Sequence, residues 1–131
     1  MLKVTSVIFW ALSLLISFGF GVLQGEDKVA SEKAAGVRNF IESYVKHDSA
    51  LKGGFFIYDE EADKVLNLKY DYVHKGVDKT EGGEYFACVD FMDNNKNTYD
   101  IDFYLDQKGE IWEVSDLVIH KVNGKQRLKQ R

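Results

Sequence analysis

The sequence predicts an α+β domain in which one N-terminal amphipathic helix packs on a curved antiparallel sheet of four to five strands. Three observations predict it. Apolar residues recur at helical spacing between Lys28 and His47. Two alternating stretches, Tyr85–Met92 and Thr98–Leu105, flank a run of turn-forming residues, Asp93-Asn94-Asn95-Lys96-Asn97. Further short alternating stretches lie on either side of that pair, separated by glycine-bearing turns. With 14% aromatic residues and no proline, the chain suits a compact β-rich core without interrupted strands.

In the helix, Ala30, Ala34, Val37, Ile41 and Tyr44 form the apolar stripe, and Phe40 and Val45 widen it. Glu32, Lys33, Arg38, Glu42 and Lys46 take the other side. Gly36 interrupts this pattern at a cost of about 1 kcal/mol relative to alanine, so either close packing or a weakened first half is expected there. His47-Asp48-Ser49 and then Gly53-Gly54 end the element, which spans about Lys28 to His47. Phe55–Tyr58 reads as a short strand and Asp59–Asp63 as its turn. In the strand from Lys64 to His74, Leu66, Leu68, Tyr70 and Tyr72 alternate with polar residues, which predicts one buried face. Residues 75–84 read as the longest loop.

The central hairpin has a predicted register. Pairing Met92 with Thr98 aligns Phe91 with Tyr99, Val89 with Ile101, Ala87 with Phe103 and Tyr85 with Leu105, all on one core face. The opposite face then carries Phe86 across from Tyr104, Asp90 across from Asp100, and Asp102 beside Cys88. After a tight connection at Asp106–Gly109, the last strand, Glu110–Val122, does not alternate: Ile111 and Trp112 are adjacent, as are Leu117, Val118 and Ile119. A bulge, or burial on both faces, would produce that pattern.

The first 25 residues read as an address. Lys3 precedes an apolar run through Val22-Leu23, and Glu26 and Asp27 follow it, the order of a secretory signal peptide or an uncleaved membrane anchor. Residues 26–131 then form a single domain placed outside the cytoplasm, whether periplasmic, surface-bound or secreted. The membrane is a partner only through the first segment if it is uncleaved. The formal net charge of −4 opposes nucleic-acid binding. A basic end, with Lys121, Lys125, Arg127, Lys129 and Arg131, reads as a solvated terminus. The lone Cys88 precludes an intrachain disulfide and reads as an inert strand thiol.

The order of elements, with Gly54-Phe55-Phe56-Ile57-Tyr58-Asp59 leading into Lys64-Val65-Leu66-Asn67-Leu68, resembles small exported bacterial domains of the cystatin-like and NTF2-like fold group. The resemblance runs from about Lys28 onward. It implies the helix-on-sheet architecture, and a group that includes protease inhibitors, ligand-pocket proteins and a few enzymes. The inhibitory Gln-x-Val-x-Gly loop and Pro-Trp of cystatins are missing, with Gln107-Lys108-Gly109 in the corresponding style of turn. For the enzymes of the group, the resemblance implies a His and an Asp in a cavity, roles that would fall to His74, His120 or an inward aspartate.

No catalytic set, cofactor or metal site is expected. Asp93–Asn97 begins like a calcium loop, but Thr98 replaces its glycine and Tyr104 stands in place of the bidentate glutamate. His47, His74 and His120 are scattered. The expected function is a non-enzymatic extracytoplasmic binding or protein-interaction module, using Phe86, Asp90, Asp100, Asp102 and Tyr104 toward a protein partner or a second copy of itself. The alternatives are a small-ligand carrier with a pocket lined by Phe40, Tyr44, Tyr70 and Tyr72, and an NTF2-like hydrolase or isomerase.

Overall fold

The computed structural model describes residues 23–127, so residues 1–22 of the expected 25-residue address segment and the basic residues Lys129 and Arg131 lie outside the described residues. One helix, α1 (Leu23–Lys52), precedes strands β1 (Phe55–Asp59), β2 (Lys64–Val73), β3 (Asp78–Lys79), β4 (Tyr85–Met92), β5 (Thr98–Lys108), β6 (Ile111–Val122) and β7 (Lys125–Gln126). The strands form one strongly curled antiparallel sheet in the order β1-β2-β4-β5-β6-β7, with β3 beside β4. Among the described residues no helix is long and apolar enough to cross a membrane.

The α+β class holds, and the expected four to five strands become seven. The five long strands lie where periodicity placed them. The two additions, β3 and β7, are two residues each, too short for any alternation to register in sequence. The helix outruns its predicted 28–47 span at both ends. It stops where Gly53, at φ 78, adopts the left-handed conformation that L side chains disfavour, and the Gly53 and Gly54 amides donate to the Ser49 carbonyl at 2.9 and 3.1 Å.

The core lies between the helix and the concave side of the sheet. Val37, Ile41 and Val45, one helical repeat apart, are fully buried and meet Phe55, Leu66, Leu68, Ala87, Val89, Phe91, Tyr99, Ile101, Phe103 and Leu105. Stacked rings run through its centre, with Phe55 5.0 Å from Phe91 and Phe91 6.2 Å from Phe103. The predicted hairpin register is observed at every pair from Tyr85↔Leu105 to Met92↔Thr98. Its turn is held by Asp93, whose carboxylate accepts from the Asn95 and Asn97 amides, the Asn97 side chain and the Tyr99 hydroxyl.

In β6 two bulges resolve the broken alternation. Leu105 pairs with Val114 but Tyr104 with Asp116, and Ile101 pairs with Ile119 but Asp100 with Lys121. Each leaves one extra residue, Ser115 and then His120, so the inward parity switches twice along the strand. In β2 a similar shift between Tyr70 and Tyr72 overturns the expected four-residue inward face. Tyr70 pairs with core Phe91, Asp71 is the extra residue, and Tyr72 pairs with Asp90 on the convex side.

The curl brings the two ends of the sheet together. Arg127, just past β7, donates from Nη2 to Asp59 Oδ2 at 2.9 Å and from Nη1 to Glu61 Oε1 at 2.7 Å. Asp59 closes β1, is 2% exposed, and accepts the Glu61 and Ala62 amides on its other oxygen. Of the basic end expected as a solvated terminus, Lys125 is exposed and Arg127 is drawn into this seam. A cleft of about 260 Å³ lies along this seam between β1 and β6, with the guanidinium in its wall.

Two stability outcomes follow. Arg127→Ala leaves a buried carboxylate without its cation, and denaturant unfolding is expected to show a loss of roughly 3 kcal/mol, part of which Asp59→Asn restores in the double variant. Gly36 has open space where a Cβ would stand, so Gly36→Ala is expected to gain about 1 kcal/mol, and an unchanged midpoint would contradict the helix assignment there.

Candidate functional site

Because side chains alternate along β4 and β5, the residues between the core positions must face outward. They do so as cross-strand pairs: Phe86 opposite Tyr104, Cys88 opposite Asp102, and Asp90 opposite Asp100. The Phe86 and Tyr104 rings stack at 5.3 Å. The five residues singled out in the sequence thus share the convex face. They are half-buried against one another, and Asp102 is only 9% exposed.

Two carboxylates directly opposite each other repel, and the compensating groups come from the strands on either side. His74, just past the end of β2, places Nε2 2.7 Å from Asp90 Oδ1. From the bulge in β6, His120 places Nδ1 3.0 Å from Asp102 Oδ2. Lys121 reaches Asp100 at 3.8 Å. A carboxylate can only accept, so each histidine nitrogen facing one carries its proton.

Both histidines owe their positions to local irregularity. The β2 bulge turns Tyr72 and His74 outward, and the His74 amide donates to the Cys88 carbonyl at 2.9 Å. Tyr72 stacks on His74 with ring centroids 4.9 Å apart and planes 9° apart. Its phenol proton is held above the usual range, first by its hydrogen bond to Asp90 and then by that carboxylate's charge. The donor atoms of His74, Cys88 and Asp90 all lie within 4.8 Å of one another. Sequence reading missed this meeting, since His74 and Cys88 are 14 positions apart and only the sheet brings them together.

Cys88 is poorly suited to nucleophilic work without help. Burial first, and then the negative charges of Asp102, Asp100 and Asp90, push its thiol up to about 12. A catalytic thiolate needs the reverse environment.

The proposed pocket residues do not assemble. Phe40 stacks on Tyr44, and Tyr44 meets Phe103 edge-on at 6.5 Å, all on the helix side. Tyr70 packs edge-on against Phe91 at 6.2 Å. Tyr72 is on the far side of the sheet, turned there by the bulge. A broader surface hollow runs instead between the end of the helix and β2, lined by Lys46, Ser49, Gly54, Asn67 and Tyr70 among others.

No protein-family model matches the chain, and comparison with curated proteins and with solved structures finds no match. The class defined here is therefore structural: a single helix cradled by a curled antiparallel sheet, with its polar cluster on the convex face.

The Cys88 proton offers a direct check. The folded state holds it more tightly than the unfolded chain, so its contribution to stability is complete below pH about 8.5 and is lost as pH rises from there toward 12. At pH 8 iodoacetamide should alkylate Cys88 in the native protein at least 100-fold more slowly than in the denatured chain. Equal rates would contradict the assigned environment.

Proposed function

We propose that the protein is a non-enzymatic binding module that works outside the cytoplasm and recognises a protein partner through the convex face of its sheet. The observation that carries this reading is the division of labour between the two faces. The helix fills the concave side with apolar contacts, while Tyr72, Phe86 and Tyr104 alternate with Asp90, Asp100 and Asp102 on the other. Flat rings beside carboxylates suit a partner surface that presents lysine or arginine with apolar stems, which gains both ring contact and charge pairing.

The resemblance to the cystatin-like and NTF2-like group supports a helix-cradling binding scaffold and belongs to the same proposal. So does export, which rests on Lys3, the apolar run and the acidic residues that follow it. The ligand-carrier reading loses support from the separation of Phe40, Tyr44, Tyr70 and Tyr72. The hydrolase or isomerase reading loses it because both histidine–aspartate pairs face away from the helix-filled side.

The test is site-specific photocrosslinking in the native host, with the reactive residue placed at Tyr104 on the convex face or at exposed Tyr58 on β1. One discrete protein adduct from position 104 only, abolished by Asp100→Lys, is expected. Phe86→Ser should reduce it at least tenfold while costing about 1 kcal/mol of stability from the lost ring pair. Equal adducts from both positions, or an adduct indifferent to Asp100→Lys, would overturn the proposal.

A further inference from the structure

We propose that His74, Cys88 and Asp90 form a binding site for one borderline-soft divalent metal ion of the zinc type. The site shares Asp90 with the partner-recognition face but is argued from its own donor atoms.

Imidazole nitrogen, thiolate sulfur and carboxylate oxygen are the three ligand types that zinc accepts, and three protein ligands with an open fourth position is a recurrent arrangement for it. Here the backbone presents them together. Cys88 and Asp90 are two residues apart on β4 and project from the same face, and the amide hydrogen bond from His74 to the Cys88 carbonyl sets the imidazole beside them. Their donor atoms already lie within 4.8 Å of one another. A tetrahedral zinc ion places its ligand atoms roughly 3.3–3.6 Å apart. The imidazole–carboxylate contact at 2.7 Å must open a little and the longer separations close a little, both within reach of side-chain rotation.

Two further features favour a cation. Asp90, Asp100 and Asp102 crowd one half-buried patch, and among the described residues the lysine or arginine paired to them there is Lys121, 3.8 Å from Asp100. A divalent ion would offset this excess negative charge. Tyr72 also buttresses one of the three ligands, through its ring stacked on His74. Outer contacts of this kind hold metal ligands in orientation. On binding, the Cys88 thiol gives its proton to solvent and its sulfur bonds the ion, His74 exchanges its Nε2 proton through solvent for one on Nδ1 so that the freed Nε2 lone pair bonds the ion, and water takes the fourth position. No electron is transferred.

The test uses full-length protein freed of metal with a chelator and titrated with Co²⁺ under reducing conditions. Binding at one ion per chain should produce a thiolate-to-cobalt charge-transfer band that Zn²⁺ abolishes by displacement. Cys88→Ser should eliminate the band, and His74→Ala should weaken Co²⁺ binding at least 100-fold, each with an unchanged circular dichroism spectrum. His120→Ala, on the neighbouring pair, should bind within about threefold of the parent. A folded parent protein that shows no band at millimolar Co²⁺ would overturn the site. So would a band that survives His74→Ala at full affinity, or one lost in His120→Ala.

Discussion

The two-residue repeat of the central hairpin is the constraint on which the rest of the molecule depends. Val89 opposite Ile101 and Phe91 opposite Tyr99 are buried to within 2% exposure or less, and a slip of one residue would send all of them to water. At about 25 cal/mol per Å² of apolar surface, exposing even three such side chains costs several kcal/mol, comparable to the whole stability of a small domain. The register is thus enforced by the core. The same enforcement dictates the other face, since Phe86, Cys88, Asp90, Asp100, Asp102 and Tyr104 have nowhere else to point. Packing of the core and composition of the convex face are one decision in this chain.

What the hairpin cannot supply is partners for its own acidic residues, and these come from places where the sheet departs from regular pairing. The bulge before Tyr72 inverts the parity of β2, so that a strand which buries Leu66, Leu68 and Tyr70 ends with Tyr72 and His74 outside. The bulge at His120 inserts an extra residue beside Asp102, while Lys121 remains opposite Asp100. Bulges also increase local twist, and the tightly curled sheet ends with Arg127 against Asp59, 68 positions away in sequence. Curvature, seam and outward histidines are consequences of the same irregularities.

This explains what could be read from the residues alone. The helix stripe, β2, β4 and β5, the hairpin register and its outward pairs were legible because each is a periodic signal, strong over eight or more residues, whereas the five-residue β1 and the non-alternating β6 were legible from their apolar content and flanking turns. Element ends were less so: α1 extends to Lys52 because nothing before Gly53 forces a stop. The bulge in β2 was illegible, since Tyr70-Asp71-Tyr72 preserves perfect alternation on paper. Its parity changes only because Phe91 and Asp90, adjacent on β4, must pair with residues two apart on β2. The assumed pocket of Phe40, Tyr44, Tyr70 and Tyr72 failed for that one reason at Tyr72. Long-range meetings such as Arg127 with Asp59 leave no local pattern at all.

The chemistry of the convex face turns on how its charges are balanced. Carboxylates on a solvated surface need little compensation, but Asp102 is almost covered and Asp90 and Asp100 are about three-quarters covered at their side chains. In that setting a charge keeps its ionised form only when partners replace water. Two of the three partners supplied are histidines, whose imidazole can offer a proton to a carboxylate or a nitrogen lone pair to a metal. A lysine in their place would have balanced the charge permanently and closed the face to a cation. Imidazole in place of ammonium keeps the patch open to an incoming positive group, the condition that both the proposed metal site and the proposed basic partner surface require.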